Sequence, residues 1–476
     1  MPWLAEAAAG ILLLYTALLR YLQHYAIVKG LHDFWQPLVI LALFLAAWGG
    51  INLSKAAWTG LRPAWSGLRP AWKQAANRWC LPLGVFLIVF AAYHHFGCWI
   101  GWVTTLPQTY WDQLAVSFLH GKLYLENPTY FHDLTLFQGL WYVPNPPLPA
   151  LLMVPLILLV GPGNLNAVRF CMFWAALNAM LLFLILDQAA RLKWIAIGRS
   201  GELWIVALFA FGTPHLYLGM NGQMWFVSQI LTVTGLALAI LAALKSWPAW
   251  VIGLFLGLAV LARPNVLGMW PFLLAIRLQI RHDAGLTLTL KQFLTWSIAS
   301  GLPVAVAGFG LLAYNQARFG SWLDFGYVTI NGAEQIVRDV QTYGMFNVHF
   351  IPINLNAMFS LFPQVLSQSP YIVPTRDGVN IWLTTPALLY LLRKQSMPLW
   401  KVGALVSILL SLGMLLLYHN TGAFQFGYRY LMDFILPLLL LLAAGLGAKA
   451  PRFFQFLVLL SGVIYLLGTI WYAYNW

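Results

Sequence analysis

Long apolar runs separated by short polar stretches recur along almost the whole chain. Most of these runs hold about 20 residues, the length at which a helix rising 1.5 Å per residue crosses roughly 30 Å of hydrocarbon. The pattern therefore predicts an all-α polytopic transmembrane protein with about thirteen spans. We place the spans near residues 4–27, 35–53, 80–102, 166–188, 203–220, 225–244, 248–262, 264–280, 292–314, 381–393, 399–418, 430–447 and 453–474.

One apolar run, residues 147–161, is shorter than the roughly 17 residues that a span usually needs. Cytoplasmic loops near span ends collect Lys and Arg, and this bias decides how the run is placed. If it does not cross, most of the 26 Lys and Arg residues fall in cytoplasmic loops. If it crosses, every later loop inverts and the bias is broken repeatedly. We therefore predict that residues 147–161 lie along the outer membrane interface as a juxtamembrane helix.

This threading puts two large loops, residues 103–146 and 315–380, on the extracytoplasmic side. More than half of the chain's 13 carboxylates fall in these loops. They are Asp112, Glu126, Asp133, Asp324, Glu334, Asp339 and Asp377. The chemistry of the protein is accordingly expected in the two loops.

The span pattern also predicts four regions. Residues 1–79 form a two-span N-terminal extension, which ends in the repeat AWTGLRP, AWSGLRP and AWKQAAN. Its tryptophans and cations indicate an interfacial linker against anionic lipid, with partner docking as the alternative. Residues 80–314 form a seven-span module, 315–380 an extracytoplasmic loop region, and 381–476 a four-span C-terminal region.

Composition agrees with the hydropathy pattern, since 61% of residues are hydrophobic and only 8% charged, against roughly 25% charged in soluble domains. The net charge of +13 is scattered between spans, which argues against a nucleic-acid partner. The chain has no D-x-D or E-x-D pair and no glycine-rich phosphate loop. We therefore predict chemistry without a metal or another cofactor, with a divalent cation held by Glu126 and Asp133 as the open alternative.

Asp112 follows a predicted span directly and should lie at the membrane surface among Tyr110, Trp111 and Tyr142. Partial removal of water from a carboxylate raises its pKa and suits it to accept a proton. The alternative is a solvated carboxylate that caps the following helix. In the same loop, Lys122, His132 and Asp133 either support this base and orient a substrate or simply link the loop by salt bridges.

A series of short motifs carries a resemblance to a known family. The loop ends in PNPPLP at 144–149, the next span opens with Arg169 in NAVRF, and later segments read FGTPHLYLGMNGQMW, LARPN, YNQARFGS and FGYRYL. In their order and sidedness, these motifs resemble the GT-C superfamily of integral membrane glycosyltransferases, which use lipid-phosphate sugars as donors. The resemblance covers about residues 80–440 and implies that residues 80–314 are a GT-C-like catalytic module.

The resemblance implies transfer of a sugar from a polyprenyl-phosphate donor to an extracytoplasmic lipid, glycan or protein acceptor. Asp112 would be the general base, with Asp133 as a second catalytic carboxylate. Arginine suits a departing phosphate because its guanidinium is planar and always charged. The expected substrate-binding residues are Lys122, His132, Tyr142, Arg263, Arg318 and Arg429. The alternative for the arginines is anchoring to lipid headgroups. The expected location is a prokaryotic inner membrane.

Two other functions fit a many-span protein. A transporter or flippase of lipid-linked sugars would show two related halves with paired broken helices, and the sequence shows no such duplication. A noncatalytic scaffold for envelope assembly would use the long second loop as a docking surface. Clustered Asp and Arg residues around a proline-rich juxtamembrane helix favour an active site over both.

Overall fold

The structure is a computed structural model, and it describes residues 70–105, 109–368, 371–422 and 424–475. The predicted spans 4–27 and 35–53 lie outside the described residues, as does most of the Trp/Arg linker. The described chain is mostly helical. Its α-helices are α1 (Pro70–Trp99), α2 (Trp102–Thr105), α3 (Tyr110–Leu119), α4 (Leu148–Val160), α5 (Ala167–Arg191), α6 (Arg199–Phe211), α7 (His215–Gly219), α8 (Met224–Leu244), α9 (Ala249–Ala262), α10 (Trp270–Asp283), α11 (Leu290–Phe319), α12 (Glu334–Tyr343), α13 (Ile351–Leu355), α14 (Ile381–Thr384), α15 (Leu399–Leu417), α16 (Ile435–Leu446) and α17 (Arg452–Asn475).

Shorter elements connect these helices. Two antiparallel hairpins are formed by β1 (Thr135–Phe137) with β2 (Leu140–Tyr142) and by β3 (Gln364–Val365) with β4 (Ile372–Val373). A single π-helical turn spans Asn356–Ser360. The 3₁₀ segments are Pro264–Met269, Val348–Phe350, Pro386–Leu392 and Arg429–Phe434.

Seven helical segments among the described residues are long and apolar enough to cross a membrane. They are Trp79–Trp99, Ala167–Arg191, Met224–Leu244, Leu290–Phe319, Leu399–Leu417, Arg429–Leu446 and Arg452–Asn475. Each overlaps one of the predicted spans. A chain with this many long apolar helices fits an integral membrane protein.

Four other predicted spans are shorter or interrupted. Residues 203–220 divide into α6 and α7, residues 264–280 begin as a 3₁₀ segment, residues 381–393 form two short helical pieces, and α9 has only 14 residues. Prolines 214, 264 and 386 stand at the three interruptions, where the missing N–H and the ring prevent a regular helix. The count of about thirteen spans stays a prediction.

Helix α8 lies at the centre of the bundle, and nearly all of its residues are buried. It is tied to α5 by polar contacts as well as by apolar packing: Asn178 donates to the Ile230 carbonyl at 2.9 Å and accepts from the Thr234 hydroxyl at 2.6 Å. These contacts satisfy an amide that would be costly to leave unpaired in an apolar interior. The two hydrogen bonds therefore fix the register of α5 against α8.

The two large loops join at one end of the bundle. Thr135 of β1 pairs with Ile330 in an isolated bridge, the Asp133 N–H donates to the Asn331 carbonyl at 2.7 Å, and the Leu136 N–H donates to the Thr329 carbonyl at 3.3 Å. The second loop thus lies along the free edge of the β1–β2 hairpin. We call the described residues of the two joined loops, 109–146, 320–368 and 371–380, the loop cap.

The opposite end of the bundle gathers the shorter connections. The Trp194 indole donates to Asp283 at 2.7 Å and stacks on Trp400 at 5.7 Å between ring centroids. The Gly198 N–H donates to the Ala448 carbonyl at 3.1 Å. The connections after α5 and α10 therefore meet the connections before α15 and α17 at this end of the bundle, away from the loop cap.

Candidate functional site

A cavity of about 810 Å³ lies between the loop cap and the bundle. Its wall combines elements far apart in sequence, including the segment before β1, the α7–α8 connection, the end of α9 and the segment that follows α15. Among the predicted site residues, His132, Asp133, Arg263 and Arg429 line it, whereas Asp112, Lys122, Tyr142 and Arg318 do not.

Arg429 is a buried cation on the cavity wall, with only 5% of its surface exposed. Its Nε donates to the Gly422 carbonyl at 3.0 Å, its Nη1 donates to the Gln229 side-chain oxygen at 3.2 Å, and it makes no ion pair with any described residue. The guanidinium also lies 4.9 Å from the Tyr430 ring centroid. Since arginine stays charged and no described carboxylate lies within ion-pair distance of Arg429, this site is suited to an anion.

The local sequence fixes Arg429 in this position. Gly422 adopts a φ of +93°, and a Cβ at that position would lie 2.7 Å from the Gln425 oxygen and 3.1 Å from Arg429 Nε. Gln425 accepts the Arg429 N–H at 2.8 Å and donates to the Thr421 carbonyl. A glycine at 422 thus lets the backbone approach closely enough to hold the guanidinium.

Arg263 differs from Arg429 because its charge is compensated. Its Nε and Nη2 donate to the same oxygen of Asp433, at 3.2 and 2.9 Å, and Asn265 donates to that oxygen at 2.7 Å. Asp433 is fully buried, so removing either partner would leave a buried charge unpaired. The pair joins the end of α9 to the segment after α15 and stiffens this wall of the cavity.

Asp133 is the one carboxylate among the described residues that line the cavity. It has a φ of +59°, a conformation held by its backbone hydrogen bond to Asn331. Burial raises the pKa of Asp133, while the neighbouring charges of His132 and Arg429 oppose part of this rise. His132 Nε2 lies 3.8 Å from the Asp133 carboxylate. A proton acceptor and an unpaired cation therefore act on each other in one cavity.

Asp112 lies in the first turn of α3, which begins at Tyr110 with Thr109 as its N-cap residue. The alternative that Asp112 caps this helix is therefore wrong. Burial raises the pKa of Asp112 to about 6, against the opposing effect of the Gln113 and Asp112 backbone N–H groups. Its Oδ1 is buried without a hydrogen-bond partner among the described residues. The desolvation that the sequence suggested is thus present, at a position outside the cavity lining.

Lys122 forms an ion pair with Glu126, which also accepts from His120 at 2.7 Å. This is the salt-linked loop that the sequence left open as an alternative. Neither Lys122 nor Glu126 lines the cavity. Lys122 is half-buried on the loop cap and paired with Glu126, so we leave it out of the proposed site.

Arg318 makes its contacts within the fold, although its Nε has no hydrogen-bond partner among the described residues. It donates to the Val143 carbonyl at 2.6 Å and to the Asn315 side chain at 2.8 Å, and it lies 4.0 Å from the Tyr314 ring centroid. Tyr142, one residue before Val143, packs on the Phe319 ring at 5.3 Å. Arg318 and Tyr142 therefore fasten the end of α11 to the first loop instead of facing the cavity.

Two polar residues of the cavity wall, Asn221 and His419, were not among the site residues predicted from the sequence. Both ring nitrogens of His419 and the Asn221 Nδ2 are buried and have no hydrogen-bond partner among the described residues. Asn221 Oδ1 accepts from the Gln223 N–H at 2.9 Å, so the orientation of its amide is fixed. Asn221 lies inside the quoted motif GMNGQMW, and His419 follows an apolar run directly, which is a usual signal for a functional polar residue.

In the described part of the chain, no group of three or more His, Cys, Asp or Glu side chains is placed to hold a metal ion. The long apolar helices fit a helical integral membrane protein, and the cavity is a partly open site under the loop cap that carries Arg263 and Arg429. No family model, no curated protein and no solved structure matches this chain.

Proposed function

We propose that the chain is a membrane glycosyltransferase that moves a sugar from a polyprenyl-phosphate donor to an extracytoplasmic lipid, glycan or protein acceptor. The observation that carries this proposal is the unpaired Arg429 guanidinium in the same cavity as Asp133. A lipid phosphodiester bears a negative charge, and a buried guanidinium with only neutral partners is suited to bind it. The motif resemblance to GT-C enzymes supports the same reaction.

In the proposed reaction, the acceptor hydroxyl oxygen attacks the anomeric carbon of the donor sugar. The bond from that carbon to the phosphate oxygen breaks, and its electron pair leaves with the phosphate. Asp133 takes the hydroxyl proton, and Arg429 stabilises the charge that grows on the leaving phosphate. Asp112, whose pKa is raised to about 6, is the second candidate for the base.

The proposal places the loop cap on the extracytoplasmic side of a prokaryotic inner membrane, in a chain of about thirteen spans. Helix α4 would return to the side from which it starts. Two contacts support this path: Arg318 donates to Val143 before α4, and Asn166 after α4 donates to the Val103 carbonyl at 2.9 Å. The opposite end carries Arg191, Lys193 and Arg199, as cytoplasmic loops do.

Transfer by the full chain in lipid nanodiscs, from labelled polyprenyl-phosphate sugars to envelope lipid or glycan extracts, tests the proposal. We expect Asp133→Asn to lower the transfer rate at least about 100-fold, while donor binding changes little, because a general base typically contributes two to four orders of magnitude. Loss in Asp112→Asn alone would move the base to Asp112. If both variants keep full transfer, the acid-base part of the proposal is wrong.

The same assay tests the phosphate site. Arg429→Gln should weaken donor binding roughly 100-fold and Arg429→Lys less, because a charged hydrogen bond to phosphate is worth about 2–3 kcal/mol. Arg338→Gln is the matched control: this guanidinium is on α12 in the loop cap, exposed and paired with Glu334. Equal donor binding in the Arg429 and Arg338 variants would refute the phosphate site.

Movement of labelled lipid across the membrane without transfer would favour a flippase.

A further inference from the structure

His419 lies on the cavity wall two residues after the end of α15, with 8% of its surface exposed. Its backbone N–H donates to the Met345 carbonyl at 3.0 Å, so the residue is held between the loop cap and the bundle. Neither Nδ1 nor Nε2 has a hydrogen-bond partner among the described residues. A buried polar group left without a partner costs about 1–3 kcal/mol, so a fold that keeps two on one ring needs an explanation.

The surroundings of the imidazole are aromatic. The Tyr418 ring centroid is 4.4 Å from that of His419, and the Tyr327 ring stands at 6.0 Å with its plane tilted by 65°. Phe346 and Phe424 line the same cavity. Burial lowers the pKa of His419 to about 4, so the imidazole is neutral at physiological pH. A neutral imidazole offers one N–H donor and one nitrogen acceptor.

This donor and acceptor pair discriminates between ligand groups. A sugar hydroxyl both donates and accepts, so hydroxyls can satisfy both ring nitrogens. A carboxylate only accepts and an ammonium group only donates, so either would leave one nitrogen unpaired. Aromatic side chains with a few placed polar groups are also typical of small-molecule pockets, and their ring faces can pack against the C–H groups of a sugar.

We infer that His419, with Tyr327 and Tyr418, forms a subsite for the uncharged, hydroxyl-bearing ring of a sugar. The inference rests on the proposed function and specifies the substrate class: a sugar that presents hydroxyl groups to His419 is favoured over one that presents an ammonium group or a carboxylate there. The sugar ring belongs either to the donor or to the acceptor. Donor-binding and acceptor KM measurements distinguish these two sources.

Calorimetric titration of the full chain in nanodiscs, with dodecyl phosphate and its glucosyl, mannosyl, galactosyl and glucuronosyl esters, tests the subsite. We expect at least one neutral ester to bind about 10-fold more tightly than dodecyl phosphate or the glucuronosyl ester, which corresponds to about 1.4 kcal/mol. His419→Phe keeps an aromatic side chain but removes both ring nitrogens, so it should abolish this preference. His419→Gln keeps a donor and an acceptor and should retain part of it.

His349→Phe is the matched control, because His349 is exposed in the loop cap, stacks on Tyr343 at 4.0 Å and does not line the cavity. Ligand-free His419→Phe should melt at the same temperature as the wild type or higher, since it removes two unpaired polar atoms from a buried site. A lower melting temperature together with unchanged sugar preference would mean that the imidazole only packs, and would overturn the subsite.

The remaining outcomes separate the two proposals. If donor binding is unaffected by His419→Phe but the KM for the acceptor rises about 10-fold, the subsite holds the acceptor sugar. If all esters bind as dodecyl phosphate does and acceptor KM is unchanged, the subsite is wrong while the phosphate site stands. If the wild type binds neither dodecyl phosphate nor any ester, the proposed function fails and the subsite falls with it.

Discussion

Two arginines that look alike in sequence differ at the scale of single residues. Arg263 and Arg429 both line the cavity, yet only Arg263 has a carboxylate partner, the fully buried Asp433. Coulomb attraction between opposite charges a few ångströms apart cancels most of the field of Arg263. Arg429 has only neutral acceptors, so its charge is the one available to a ligand.

The carboxylate of Asp112 yields a prediction on pH and stability. Its pKa is about 6 in the folded protein against an ordinary value of 3.8, so the folded state binds the proton more tightly. Stability contributed by this proton is present below about pH 4 and is lost as pH rises to about 6. Asp112→Asn should therefore stabilise the protein by on the order of 2–3 kcal/mol at pH 8 and by little at pH 4.

Melting temperatures of wild type and Asp112→Asn between pH 4 and pH 8 provide the measurement. The control is Glu334→Gln, which removes a carboxylate whose side chain is 83% exposed and therefore hydrated in both states. A melting difference for Asp112→Asn that stays constant over this range would contradict the assignment of a raised pKa to Asp112.

At the scale of elements, helix interruptions supply the cavity with polar side chains. Arg263 is the last residue before Pro264 and adopts an extended backbone, with φ −150° and ψ 110°. Arg429 similarly opens a 3₁₀ segment that precedes α16. Non-helical backbone at membrane depth is tolerated where it is buried in protein or lines a cavity. Both arginines thus lie where a regular helix is interrupted, Arg263 at the end of the short α9 and Arg429 at the start of the Arg429–Leu446 segment.

Close packing of α9 on α11 gives a second prediction. A Cβ on Gly253 of α9 would lie 2.0 Å from the Ser300 carbonyl oxygen of α11, so the two helices would have to separate. We expect Gly253→Ala to destabilise the protein by about 1–3 kcal/mol, the usual cost of overpacking. Thermal unfolding in detergent measures this change.

Gly308 in α11 is the matched control, because nothing lies within 4 Å of a Cβ at that position. Gly308→Ala should leave the melting temperature unchanged or raise it slightly, since alanine favours helix by up to about 1 kcal/mol over glycine. If both alanine variants melted alike, the tight α9–α11 contact would be excluded.

For the whole molecule, the cavity exists because two loops separated by almost 200 residues pair at the β1 edge, as in the Thr135 hydroxyl that donates to the Gly326 carbonyl over a sequence separation of 191. The bundle fixes the floor of the cavity, and the joined loops cover it. The two ends of the bundle are also distinct in charge, which gives a prediction about orientation.

Reporter fusions measure that orientation. A fusion after Lys193 should report the cytoplasm and one after Tyr343 the extracytoplasmic side, because Lys193 adjoins Trp194 at the cationic end and Tyr343 ends α12 in the loop cap. A paired alkaline phosphatase and fluorescent-protein series in cells reads both positions. Both reporters on one side, or the reverse assignment, would contradict the threading.

Much of the architecture follows from the sequence because membrane insertion depends on hydropathy within a window of about 20 residues, a local property. That property predicted the seven long helices, including Met224–Leu244 and Arg452–Asn475, nearly to their ends. It also predicted that the carboxylates concentrate in two large loops. Average hydropathy did not predict the helix breaks within residues 203–220 and 381–393, which the structure places at Pro214 and Pro386.

Only the tertiary structure decided which polar residues share a cavity. Asp112 and Asp133 are both loop carboxylates in sequence, and Arg318 and Arg429 both stand beside aromatic residues, yet only Asp133 and Arg429 line the cavity. His419 was not singled out at all. Whether a charge is paired depends on residues from any part of the chain, such as Asp433, 170 residues after Arg263. Sequence spacing does not encode such contacts, because long-range packing brings them together.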